Sequence, residues 1–254
     1  MSIAGDLAMA LDPVRLAEAA GIAPDDVWQA ALLRSIARRT LLNIHRQAGK
    51  SSMAALIGVH DAVYTPDSLV LILSPSLRQS GELFKKVMHV YGAVGRPVPA
   101  TMESALQLTL ANGSRIVALP GKEETIRGFS GVTRLIVDEA ARVPDALYYA
   151  VRPMLAVSGG SLIALSTPFG KRGWFHAEWS GDGTWQRVHV PATACPRISP
   201  AFLAEERAAI GDWWYRQEYG NEFVETTDQV FSFDDVQRAV TGDVTPLFAP
   251  LNGV

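Results

Sequence analysis

The run His45-Arg46-Gln47-Ala48-Gly49-Lys50-Ser51 joins a short apolar stretch to a segment with helical rhythm, and its residue types suit phosphate binding. Backbone N–H groups at a helix N-terminus point at an anion, and the Lys50 ammonium can reach the outer oxygens of a polyphosphate. Arg46, Gln47, Ala48, Gly49 and Ser52 complete the cradle, and the Ser51 hydroxyl, directly after the lysine, can ligate Mg2+. Ile44 stands where the first glycine of the usual phosphate loop would be. Farther along, Leu135-Ile136-Val137-Asp138-Glu139 ends an apolar run in two carboxylates. Asp138 can hold Mg2+, directly or through water. Glu139 can orient and polarise an attacking water, which hydrolysis requires and transfer to another acceptor does not.

Further residues can serve the same chemistry. Leu165-Ser166-Thr167-Pro168 closes another apolar run with two hydroxyls, placed either to sense a terminal phosphate or simply to turn the chain. Arg127 stands upstream of the acidic run, as a surface charge or as a finger that stabilises a transferring phosphoryl group; Arg46, inside the loop, competes for that role. Trp28-Gln29 precedes the first strand, and a glutamine there can pair with an adenine edge or remain a helix-surface residue. Lys171 and Arg172 form a basic turn, open to two readings: a contact point for nucleic acid or an ordinary exposed turn.

Such a site needs strands that end, and helices that begin, at one edge of a sheet. Residues 2–24 have helical rhythm broken at Pro13 and Pro24, and Asp25 and Asp26 can cap a helix from Val27 to about Arg39. Apolar runs predict strands at Thr40–Ile44, Leu69–Leu73, Arg134–Val137, Ser161–Leu165 and Trp185–Val190, with helices at Lys50–Val63 and Leu77–Tyr91. Leu106–Leu110 and Ser114–Ala118 alternate by twos around Asn112-Gly113, a hairpin signal. From Ser199 onward two charged helices follow, Phe202–Ile210 and Trp213–Phe223. Strands alternating with helices imply a mostly parallel sheet covered on both faces. In such a sheet ligands bind beyond the carboxyl ends of the strands, which brings the phosphate loop and the carboxylate pair to one edge.

Composition fits that architecture. With 254 residues, 48% of them hydrophobic, the chain can bury a full α/β core. A net charge of -3 excludes a purely electrostatic nucleic-acid coat, so any DNA contact must come from a local patch. The single cysteine, Cys195, allows no internal disulfide or cysteine-based zinc site. No apolar run approaches the roughly 20 residues that span a bilayer, and the acidic start is unlike a secretory signal, so the expectation is a soluble intracellular protein.

In chain order these residues resemble the large-terminase family of tailed phages and prophages. Trp28-Gln29 is similar to the family's adenine-recognition element, and Arg46–Ser51 to its variant phosphate loop, which often lacks the first glycine. Ser74-Pro75-Ser76 with Gln79, Ile126-Arg127-Gly128, Ile136–Ala140, Ser166-Thr167-Pro168, and Glu218-Tyr219 with Glu222-Phe223 continue the likeness. The resemblance implies an α/β P-loop NTPase of RecA-like, catalytic-glutamate type, with an added β-hairpin and a C-terminal helical lid. It implies ATP and Mg2+ as cofactors, and Ser166 and Thr167 as coupling residues. The partners it implies are double-stranded DNA, a portal protein, a small terminase subunit and further copies of the chain in a ring. The setting would be the cytoplasm of an infected bacterium, transiently on the procapsid.

The expected segments are a helical part with the adenine element (1–39), an ATPase core (40–198), a lid (199–235) and a tail (236–254). Large terminases usually carry a C-terminal RNase H-like nuclease, and that tail is too short to hold one. Asp228, Asp234 and Asp235 accordingly read as a solvated acidic linker. A helicase-type motor and a non-catalytic assembly module are the rival assignments.

Overall fold

The computed structural model describes residues 2–120, 126, 128–225, 235 and 238–240. The chain opens with α1 (Ile3–Leu11), α2 (Pro13–Ala19) and α3 (Val27–Leu33), which lead into β1 (Arg39–Ile44). Next come α4 (Lys50–Tyr64), β2 (Leu69–Ser74) and α5 (Leu77–Ala93), and then β3 (Ala100–Glu103), β4 (Gln107–Leu110) and β5 (Arg115–Pro120). Strand β6 (Arg134–Asp138) precedes α6 (Asp145–Val151), and β7 (Ser161–Ser166) precedes α7 (Gly173–Ser180). Strand β8 (Gln186–Val190) and α8 (Pro200–Glu218) follow.

The eight strands form one sheet in the order β3-β4-β5-β2-β6-β7-β1-β8. From β5 to β8 all neighbours are parallel, while β3 and β4 are antiparallel additions. All six residues of β2 are buried, as a strand covered on both faces must be. Its side chains alternate between two cores. Val70 and Ile72 pack with Leu56 of α4 and Phe84 of α5, while Leu69, Leu71 and Leu73 pack with Tyr148 of α6 and Trp174 of α7. Deleting one such leucine side chain costs about 2–5 kcal/mol, and this two-sided packing fixes the strand ends that carry the chemistry.

Register then sets those ends side by side. Asp138 of β6 lies opposite Leu165 of β7, and Ser166, the next residue of β7, lies opposite Asn43 of β1. Strand β7 therefore separates the strand that feeds the phosphate loop from the strand that ends in the carboxylates.

Several elements depart from expectation. Helix α3 stops at Leu33 rather than near Arg39, because Ile36, which continues the apolar rhythm, is 99% exposed. Strand β3 and the short helices α6 and α7 are additional. The two expected C-terminal helices are halves of α8, kinked at Gly211 (φ 79°, ψ 161°), and the second half ends at Glu218, not Phe223. That backbone is open only to glycine. Arg127, Asp228 and Asp234 lie outside the described residues, while Asp235 is exposed and pairs with Arg238. Among the described residues no helix is long and apolar enough to cross a membrane.

Candidate active site

The phosphate loop leaves the buried end of β1 and turns into α4 through two left-handed residues, Gln47 (φ 52°) and Gly49 (φ 83°). Gly49 caps α4, whose first residue is Lys50. Lys50 is buried, and its Nζ donates to the carbonyls of Ile44 (2.7 Å) and His45 (2.9 Å). An ammonium has three donors, so one remains for a ligand. Burial pushes Lys50 down to about 8, while Glu139 and then Asp138 work in the opposite direction. These three groups therefore share one electrostatic environment. Ser51 and Ser52 follow in the first turn of the same helix, both half-buried.

Facing the lysine is the end of β6. Burial first and the neighbouring Glu139 charge second together raise Asp138 to about 6, against the pull of Lys50. Glu139 is half-buried and adopts a left-handed backbone, φ 50°. Ser166 ties this turn to the next strand. Its Oγ accepts from the Ala141 N–H (3.2 Å) and donates to the Thr167 carbonyl (2.7 Å). Thr167 Oγ1 and Ser74 Oγ are buried at strand ends of the same sheet edge, with no hydrogen-bond partner among the described residues. Buried hydroxyls are ordinarily bonded, so these two are available to water or to a ligand.

A cavity of roughly 830 Å3 opens on the other side of the loop, between His45–Gln47 and the lid. Ile198, Phe202, Ile210, Trp214 and Tyr219 give it apolar and aromatic walls, with Arg197 and Glu206 at its margin. Arg197 also bridges Asp25 and Asp26 at the start of α3 (both 3.3 Å), and Arg46 reaches Glu218 at the end of α8 (2.9 Å). Lid, loop and α3 thus meet around one hollow.

Comparison with known proteins places this geometry. The family described as "Terminase large subunit, T4likevirus-type, N-terminal" matches residues 41–238. The chain belongs to the terminase large-subunit family. The large terminase subunit of Thermus virus P23-45 is 29% identical over 255 residues, covering 85% of this chain and 52% of that protein. The large subunit of Escherichia phage T5 is 25% identical over 197 residues, covering 74% of this chain and 44% of that protein. The chain therefore spans about half the length of the curated relatives it matches. Among solved structures, the large terminase ATPase domain of Thermus phage P74-26 superposes with a TM-score of 0.72 at 26% identity, covering 82% of this chain and 97% of that one. The fold is that of a P-loop NTPase.

Within this terminase fold the sequence-derived residues separate into groups. Lys50, Ser51, Ser52, Asp138, Glu139, Ser166 and Thr167 all lie at the carboxyl edge of the central strands, where β1, β6 and β7 end. Gln29 is buried against the phosphate loop. Its Nε2 donates to the Ala48 carbonyl (3.0 Å) and its Oε1 accepts from the Asp26 N–H (3.3 Å). Each end of that amide keeps one further bonding position. Gln29 thus braces the loop, and it is absent from the cavity wall. Lys171 pairs with Glu225 (2.9 Å), and Arg172 stacks on Phe169, so this basic turn is already engaged within the chain.

Other contacts were not visible from sequence. Asn43 Nδ2 donates to the Asn221 carbonyl (2.8 Å), and Asn221 Nδ2 donates to the Val190 carbonyl (3.1 Å). These bonds join the strand before the phosphate loop to the chain that leaves the lid. Only a polar residue inside an otherwise apolar strand, Asn43, hinted at them.

Proposed function

We propose that this chain hydrolyses ATP with Mg2+ and serves as the motor part of a large terminase, driving double-stranded DNA into a viral procapsid. The observation that carries this is the convergence of Lys50 with Asp138 and Glu139 at one sheet edge, each affecting the proton affinity of the buried partners. The Lys50 ammonium and the N-terminal amides of α4 hold the phosphates, and a polyphosphate supplies the negative charge that offsets the lysine's burial. Glu139 aligns water for attack on the terminal phosphorus. The base and ribose occupy the lid cavity, against Phe202 and Tyr219, with Gln29 steadying the loop beneath.

The residues present fit Mg2+. The Ser51 hydroxyl and the Asp138 carboxylate are hard oxygen donors, and the unpartnered hydroxyls of Ser74 and Thr167 can hold its waters. Among the described residues no group of three or more His, Cys, Asp or Glu forms a metal cage. That suits an ion which protein holds through one or two side chains and nucleotide phosphates complete. When bound, the metal would neutralise charge on the phosphates.

Portal protein, a small terminase subunit and a ring of identical chains are the partners this assignment brings, in the soluble phase of the infected cell. The test separates binding from turnover. Glu139→Gln should still bind ATP yet lose hydrolysis, whereas Lys50→Ala should lose affinity and hydrolysis together, because it removes charge from the phosphates themselves. Nucleotide titration and phosphate release, measured with and without duplex DNA, decide it. Normal turnover by Glu139→Gln sinks the mechanism.

A further inference from the structure

In a chain of net charge -3, one helix face sets three cations, Arg78, Lys85 and Lys86, against a single acid, Glu82. Arg78, Lys85, Lys86 and His89 of α5 are all exposed. At 3.6 residues per turn they fall within an arc of roughly 100°, over roughly 16 Å of helix length. Glu82 is the one acid on α5. It bonds Lys85 (2.8 Å), and its carboxyl is held below the usual range by Lys85 first, with Arg78 and Lys86 adding to the effect. Arg78 and Lys86 have no ion pair of their own among the described residues.

The opposite face of α5 mounts this stripe rigidly. Leu83, Phe84, Val87, Val90 and Tyr91 are buried against the sheet and α4, and the Ser80 hydroxyl donates to the Leu119 carbonyl (2.8 Å). Helix α4 begins with Lys50, and α5 begins just beyond the end of β2, which lies beside the carboxylate strand β6. The stripe is therefore fixed to the two elements that frame the nucleotide site.

We infer that this face of α5 grips the phosphate backbone of double-stranded DNA, an inference that rests on the motor function proposed above. A duplex presents one negative charge per ~1.7 Å of its axis, and backbone contacts of this kind are indifferent to sequence, as a translocating motor requires. A protein partner fits less well. Protein interfaces have an apolar core, and along α5 the one exposed large apolar side chain is Leu77, at the helix start.

Binding of the full chain to a short labelled duplex, titrated over a range of salt, tests the assignment. Arg78→Glu with Lys86→Glu should weaken binding on the order of tenfold or more, and Arg78→Gln with Lys86→Gln should lower the salt slope by roughly 2, at ~0.9 per lost phosphate contact. A charge-matched control, Arg38→Glu with Arg39→Glu, alters two exposed arginines at the opposite end of the sheet and should leave affinity close to wild type. If wild type binds DNA and the α5 variants bind equally well, the assignment is overturned while the motor function stands. If wild type binds no duplex, both fall. If the variants bind DNA normally but change self-association in sedimentation, the stripe faces a second copy of the chain, and the DNA assignment is again overturned.

Discussion

Glu139 holds a left-handed backbone that its side chain disfavours, and it shares this with Gln47 in the phosphate loop and Asn221 below the lid. Such a conformation costs a residue with a β-carbon about 1–2 kcal/mol, so the surrounding structure must impose it. Here the Ser166 hydroxyl fixes the following turn through the Ala141 N–H, and the 3-10 turn at Ala140–Arg142 leaves the carboxylate at the sheet edge. Strain at the residue we propose aligns water would be a device for holding one geometry. It follows that Glu139→Gly should abolish turnover and yet unfold at equal or higher urea concentration than wild type, with a gain of up to about 1 kcal/mol. Glu139→Gln keeps the strained backbone and should show no such gain. A clear loss of stability in Glu139→Gly would mean that the carboxylate makes a stabilising contact here and that the turn is unstrained.

The elements that carry the site were legible because their signals are local and strong. Strands β1, β2, β6 and β7 are apolar runs buried on both faces, and Asn112-Gly113 marks the β4–β5 turn. Strand β3 was not legible: three of its four residues are exposed, so no alternation betrays it. Helices α6 and α7 span two turns each, and their placement depends on a tertiary stack of Tyr148 on Trp174 (3.9 Å between ring centroids). The brace that Gln29 gives the phosphate loop was hidden for the same reason, since its bond to Ala48 crosses 19 positions. The docking of α1 and α2 on α4 is another tertiary feature, and it carries a titratable group. His60 of α4 donates from Nε2 to the Met9 carbonyl (3.1 Å), and burial pulls its pKa below the ordinary value. The unfolded chain then binds a proton that the folded chain refuses, so stability is fully present above about 6.5 and declines as pH falls below it. His45 and His176 are shifted the same way by burial. His60→Gln, which can still donate to Met9, should therefore reduce this acid loss without removing it. Urea unfolding at pH ~8 and pH ~5.5 measures the difference, and an unchanged pH slope in the variant would show that His60 titrates normally in the folded chain.

At the scale of the whole molecule, the open question is whether one chain completes its own active site. Two arginines compete for the charge on the transferring phosphoryl group. Arg46, inside its own phosphate loop, pairs with Glu218 of its own chain at 2.9 Å and so could act within a single chain. Arg127 lies outside the described residues, between buried Ile126 and exposed Gly128 on the approach to β6. Its place in the sequence, upstream of Glu139, suits a neighbour's site, and a ring of identical chains would supply that neighbour. We expect Arg127 to act in trans. An arginine finger contributes about 10³–10⁵ in rate, so an isolated chain should hydrolyse ATP slowly and activity per chain should rise with concentration. Mixing resolves the two cases. Arg127→Ala and Glu139→Gln proteins, each inactive alone, should together regain part of the activity, because some interfaces then pair an intact Glu139 with an intact Arg127. Sedimentation must show that the mixture assembles. Assembly without recovered activity, or full activity in a verified monomer, would exclude the trans role and assign the finger to Arg46. In that case Glu218→Gln, which removes the charge that holds Arg46 to the lid, should alter turnover in the monomer as well.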